Sequence, residues 1–308
     1  MGRYLIRRLL QMVPVVIGTT LIIYAMVWAL PGDPFAGKCG DRPCPEAYVA
    51  AQTAKFNLDE PFPVQYAFYM GKLVTGDFGE TFSGRSVIEE IGRAYPTTLR
   101  LAIIALLVEI VIGITAGVLS GLRRGRFLDN LVLVSTLLVI SIPIFVVGFV
   151  LQFVVGIKWG LAPPTVSGDA PWAELLLPGF VLASTSLAYV ARLTRTSIVE
   201  NIRADYVKTA VAKGLPQSKV VGRHVLRNSL IPVVTFIGAD FGALMGGAIV
   251  TEGIFNIRGI GGLTFTSIGQ REGATVTGVV TVLVLVFLLA NLLVDLLYAR
   301  LDPRIRYD

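Results

Sequence analysis

The sequence has a single histidine, His224, and only two cysteines, Cys39 and Cys44. One imidazole and two thiols fall short of the four ligands of a structural zinc centre, and a metal site is not expected. A GxxxxGK[ST] phosphate loop, an HExxH pair and a GxSxG elbow are also missing. The nearest glycine cluster, Gly259-Ile260-Gly261-Gly262, departs from GxGxxG because position 264 is Thr264. No nucleotide or hydrolytic centre is therefore expected on this chain, and any use of ATP must occur on another. Charge is scarce too: charged residues make up 16% of the 308 residues, against 54% hydrophobic ones. With a mean hydropathy of +0.71, that balance excludes an ordinary soluble domain.

The apolar residues fall in blocks. Six spans are predicted, at about Leu9–Leu30, Leu101–Leu122, Asn130–Val155, Leu175–Ala191, Leu230–Thr251 and Ala274–Ala299, each near the ~20 residues that cross a bilayer. The first follows Arg3, Arg7 and Arg8 but exceeds a signal-peptide core of roughly 7–15 residues and lacks a small-x-small cleavage site, so it is expected to be an uncleaved anchor. Ile6 also removes the Ser or Thr that a myristoylation signal needs.

Six spans place both termini on one side, and basic residues choose the side. Segments 1–8, 123–129, 192–229 and 300–308 hold 17 of the 27 basic residues and five acids; the alternate segments hold 10 basic residues and 13 acids. The fold class predicted is an all-α polytopic membrane protein with both termini cytoplasmic. Its basic pI of about 9.4 reflects topology and anionic lipid headgroups, and no nucleic-acid partner is expected. Three regions follow: residues 1–30 as tail and first helix, 31–97 as an external loop domain, and 98–308 as the main membrane domain.

In the external loop, Pro31-Gly32-Asp33-Pro34 is expected to end the first span. Cys39 and Cys44, in KCGDRPCPE, lie where an oxidising compartment permits pairing, and a disulfide is favoured over two free thiols. It would stiffen a local turn more than the whole fold. A helix from about Glu46 to Asn57 and another from Val64 to Val74, stopping at Gly76-Asp77-Phe78-Gly79, make this a folded cap.

Three acids fall inside the spans, where an acid at the bilayer centre costs about 2.5–3.5 kcal/mol on insertion scales. Glu109 shares a helical face with Gly113, Gly117 and Gly121, a ladder that admits a close neighbouring helix. It reads as a packing residue, hydrogen-bonded between helices or protonated. Gly238, Gly242 and Gly246 form a second ladder, and a two-residue offset turns Asp240 by about 200° from it. Asp240 is accordingly a candidate for the translocation path, with pairing to a neighbouring helix as the alternative. Asp295, near Arg300 at the last span's end, reads as interfacial.

A basic, polar segment on the expected cytoplasmic side runs from Arg192 to Asn228 between two apolar spans. Ser197 to Gly214 has helix-forming composition, with Tyr206, Ala210 and Lys213 on one face and Gly214 as a stop. Pro216 suits the first turn of a second helix, along which Lys219, Arg223 and Arg227 recur every four residues. Such a helix–Gly turn–helix is either a docking surface for a soluble partner or an amphipathic hairpin lying on lipid.

The segment DYVKTAVAKGLPQSKVVGRHVLRNSLIP resembles the coupling loop of permeases in the peptide and nickel group of ABC importers. The likeness covers essentially the whole chain, through RYLIRRLLQMVPV, LPGDP, LDEPFPVQY, GDFGETF, AYVARLTRTSIVE and NLLVDLLYARLDPRIRY. The large loop after the first span resembles that of the B-type subunit. At the positions of the EAA-type motif of such loops stand Lys208, Thr209, Ala210 and Gly214, without its Glu.

The resemblance implies one transmembrane half of a type I importer. Its partners would be a related C-type permease, ATP-binding subunits or a fused pair of ATPase domains carrying ATP and Mg, an extracytoplasmic substrate-binding protein, and lipids of a bacterial cytoplasmic membrane. It carries no cofactor of its own. The coupling loop, about 196–229, would place Asp205, Tyr206, Thr209, Ala210, Lys213, Gly214 and Leu215 against an ATPase subunit. Short peptides fit best as substrate; nickel complexes, glutathione or haem are alternatives. An ion-coupled transporter or channel is a rival, against which stands the lack of an obvious inverted repeat.

Overall fold

The computed structural model describes residues 2–28, 35, 39, 44–246 and 248–301. Helices dominate the described residues, whose only β pairing is one isolated bridge between Glu80 and Ser86. Among the described residues, five helices are long and apolar enough to cross a membrane, or six if one bent pair counts as a span.

Helix α1, Gly2–Trp28, is followed in the cap by α2, Glu46–Phe56, and α3, Phe62–Val74. Asn57 closes α2 in the left-handed conformation (φ 52°), which its short amide side chain tolerates. Cys39 and Cys44 are joined by a disulfide. The cap is fastened to the membrane helices by aromatic side chains and hydroxyls. Tyr24 of α1 packs against Phe62, Tyr66 and Tyr69, and Tyr69 shares a 2.8 Å hydrogen bond with Thr281. The expected stop at Pro31–Pro34 lies outside the described residues.

The second apolar element is α4, Val87–Val108, running through a π-helical turn, Glu109–Gly113, into α5, Ile114–Leu122. Together they make a helical stretch of 36 residues. It begins well before Leu101, where hydropathy alone sets the membrane boundary, because the amphipathic segment from Val87 to Arg100 continues the helix outside the apolar run. There Val87, Ile91 and Ala94 pack against Ile260, Val279 and Leu283.

The third apolar block is two helices rather than one. Helix α6, Phe127–Ser141, and α7, Ile144–Leu151, which passes into a π-helical turn at Gln152–Lys158, meet at 104°. Pro143 lacks the N–H that would continue the helix, and Ile142 before it is extended (φ −98°, ψ 127°), as steric conflict with a following proline requires.

Helix α8, Leu176–Asn201, is central, packing against α4, α5, α6 and α7. It carries Val181 and Ala183 into a core with Leu101, Ala105 and Phe255. The continuous helix expected from Ser197 to Gly214 is broken at Ile202–Ala204, where Ala204 turns extended (φ −67°, ψ 149°). Helix α9, Asp205–Ala212, then starts in a new direction with an acid favourably placed in its first turn.

After Gly214 come α10, Gln217–Lys219, a π-helical turn at Val220–Val225, and α11, Leu226–Gly246, which also packs on α8. Helices α12, Ile249–Ile254, and α13, Ile260–Gly269, are short, so the fifth apolar block ends at α11 rather than reaching Thr251. Helix α14, Gly273–Leu301, completes the bundle against α1 and α11. The side chains of Asp295 and Arg300 lie outside the described residues.

Candidate coupling surface and intramembrane acids

The glycine ladders mark where helices approach most closely. A Cβ on Gly113 would stand 2.9 Å from Val190, one on Gly117 2.5 Å from Thr194, and one on Gly121 2.9 Å from Ile198, all on α8. On α11 the corresponding neighbour is α14: Gly238 faces Val294 and Gly242 faces Ala290. The backbone of Gly246 ends α11, and its surroundings lie outside what is described.

The opposite face of α11 carries Asp240, which meets Glu109. The two acids that spacing assigned to separate roles are thus brought together, with Ser186 of α8 beside Asp240. Glu109 is fully buried at the start of the π-helical turn, and π turns concentrate at functional sites.

At the polar end, α9 rests on a small core of Ile198, Val207, Ala210, Val220 and Val225. Ala210 is therefore turned inward, 5% exposed, and does not share the outward surface of Tyr206 that helical spacing gave it. Tyr206, Val211 and Leu215 remain exposed at 40%, 59% and 37%, and Thr209 and Lys213 are exposed beside them. Gly214 has φ +75°, and the amides of Gly214 and Leu215 return to the carbonyls of Val211 and Ala210 at 2.9 and 3.3 Å. A side-chain-bearing residue adopts that conformation only at a cost, and glycine makes the turn tight.

The loop is tied to the bundle by polar contacts. Tyr206 donates to Asn201 Oδ1, Asn201 donates to the Ser197 carbonyl at 2.8 Å, and buried Ser229 donates to the same carbonyl at 3.2 Å. Lys208 reaches Asp205 at 2.8 Å and holds that exposed carboxyl below its ordinary range.

Two polar centres were not visible as such in the sequence. Asp129 was counted only as a loop charge. It takes two hydrogen bonds from Arg195, one from Ser120 at 2.6 Å and one from the Gly125 amide at 2.8 Å. Glu252 was counted only as an external acid, yet it is fully buried. It accepts from Thr98 Oγ1 at 2.7 Å and from the Gly262 amide at 2.8 Å, while Thr98 accepts from the Ile260 amide. Burial pushes its carboxyl up to about 7, against the opposing pull of these hydrogen bonds.

The rejected glycine cluster thus has a purpose: a Cβ on Gly259 would collide with both Glu252 and Thr98. Its readable signal was an acid between apolar runs, TEGIFNIRGIGG, followed by glycines whose amides begin a helix.

These positions lie within a recognised pattern. Residues 113–307 match the family described as "Binding-protein-dependent transport system inner membrane component". The chain belongs to this family. Residues 1–102 match its amino-terminal counterpart, "Binding-prot-dependent transport system membrane comp, N-term". The dipeptide transport system permease protein DppB of Alkalihalophilus pseudofirmus is 36% identical over 331 residues, covering 99% of each chain. The glutathione transport system permease protein GsiC of Escherichia coli K12 is 37% identical over 311 residues, covering all of both. A probable peptide ABC transporter permease of Sinorhizobium fredii, y4tP, is 33% identical over 314 residues, again covering both in full. Members of this family are membrane components of ABC importers, and the chain is such a permease.

Proposed function

We propose that this permease forms half of an import path for short peptides, paired with a related C-type subunit and driven by ATP and Mg bound on separate or fused ATPase domains. An extracytoplasmic binding protein delivers the substrate to the cap side. Both termini face the cytoplasm of a bacterial cell, in agreement with the excess of basic residues in segments 1–8, 123–129, 192–229 and 300–308. Dipeptide, peptide and glutathione in the names of the relatives support a substrate built on amide-linked amino acids.

The observation that carries this reading is the set of exposed apolar side chains, Tyr206, Val211 and Leu215, standing on an otherwise polar loop. Exposed apolar side chains at a rigid helix–turn suit a groove on a partner. Asp205, Thr209, Lys213 and Gly214 complete the contact surface, with Ala210 supporting it from beneath. Asp240, half-buried on α11, offers its exposed edge to the path.

The test is ATP-dependent uptake of a labelled dipeptide by the complete assembly in proteoliposomes. Uptake should stop when hydrolysis is blocked; uptake that continues overturns the reading in favour of ion-coupled transport or a channel.

A further inference from the structure

We propose that Glu109 and Asp240 form a proton-binding site in the membrane interior, one proton being held between their two carboxyl groups. Glu109 is 0% exposed, and neither of its carboxyl oxygens has a hydrogen-bond donor; Asp240 Oδ2 is buried without one as well. Two ionised carboxylates cannot donate to each other. A single proton removes the difficulty, because the protonated oxygen donates to the facing carboxylate and the pair carries one negative charge instead of two.

The surroundings leave that proton as the donor. Among the described residues, Asp240 is the charged group beside Glu109, and Ser186 and Glu109 are the side chains beside Asp240. No basic side chain of α4, α8 or α11 takes part. No group of three or more metal-ligating His, Cys, Asp or Glu residues occurs among the described residues, so the pair lacks the ligand set of a metal site. Apolar residues bracket the pair along the helices: Leu106 and Ile110 flank Glu109 on one side of the interface, and Ile237 and Phe241 flank Asp240 on the other. The glycine face of α11 is committed to α14 through Gly238 and Gly242, which directs Asp240 toward α4 and α8.

The site has a mechanical consequence. With the proton in place, the pair joins the second apolar helix to α11. When the proton leaves to a base that reaches the half-exposed side of Asp240, two like charges face each other and the helices are driven apart. The proton passes from carboxyl to acceptor with no other bond made or broken. This goes beyond the import reading and stands whatever the substrate.

The experiment is infrared spectroscopy of the full chain in lipid nanodiscs at neutral pH, in H2O and D2O. The wild-type chain should show a protonated-carboxyl carbonyl band that shifts in D2O. That band should be missing from both Glu109→Gln and Asp240→Asn, because an amide N–H replaces the shared proton in either variant. Subtracting variant from wild type cancels any contribution from Glu252. Should a variant not fold, Glu109→Asp, which keeps both carboxyl groups, should retain the band at an altered frequency. A difference spectrum without the band, or a band that emerges only after sodium and potassium are removed, would overturn the proposal.

Discussion

Asp129, at the start of α6, grips Arg195 of α8 with two hydrogen bonds, from Nε at 2.6 Å and Nη2 at 2.9 Å. The same carboxylate takes the hydroxyl of Ser120 and the amide of Gly125, so three segments converge on one acid. Arg195 lies on the helix that leads into the candidate coupling loop, and its orientation is set by this fork.

Removing one partner of this pair should be harsher than removing both. Asp129→Ala leaves a guanidinium in a largely buried position and is expected to destabilise the permease by about 3–5 kcal/mol. Adding Arg195→Met should recover a substantial part of that loss. Denaturant unfolding midpoints in detergent are the measurement, and a double variant no better than Asp129→Ala would sink the idea.

Glu252 makes the stability of the fold depend on pH. Its carboxyl is raised from an ordinary 4.5 to about 7, so between these values the folded chain keeps a proton that the unfolded chain has released. Stability should therefore fall as pH rises through that window and level off above it. Glu252→Gln, which resembles the protonated form, should flatten the dependence, whereas Glu252→Ala should cost about 1–3 kcal/mol by orphaning buried donors. A wild-type unfolding midpoint that does not change between about pH 5 and about pH 8 would contradict the linkage.

At Gly214 the constraint is the backbone alone. A Cβ there would meet nothing within 4 Å, but φ is +75°. Gly214→Val should reshape the turn at a cost of order 1–3 kcal/mol while leaving the membrane helices intact. The expected outcome is normal membrane insertion with ATP hydrolysis uncoupled from uptake. Wild-type coupling in a well-inserted variant would remove Gly214 from the coupling surface.

Much of the architecture was legible because lipid leaves few options for the chain. Apolar length located the helices, and the left-handed tolerance of Asn57 and the conformational freedom of Gly214 marked real turns. The kink at Pro143 was harder to see, since the apolar run continues across it and only the local sterics of Ile142-Pro143 divide it. Helical spacing turned Asp240 away from its glycines, but a single helix could not reveal that Glu109 waits on the other side. Ala210 was misplaced because the buried face of α9 runs through Val207 and Ala210, three residues apart, which leaves Tyr206 at its edge. Glu252 escaped because counting charges by segment treats an acid in a connector as solvated, and only tertiary packing shows which glycine amides enclose it.

The helical stretch from Val87 to Leu122 is longer than a bilayer is thick. At 1.5 Å per residue its 36 residues extend about 54 Å, against roughly 30 Å of hydrocarbon. A helix of that length outreaches the hydrocarbon of a bilayer it crosses. One end rests beside the cap, where Val87 donates to the Gly79 carbonyl, and the other delivers Ser120 to Asp129 and Arg195. A tilt of this stretch about its middle would swing its two ends in opposite directions, so the cap and the Asp129–Arg195 pair are the ends of one lever.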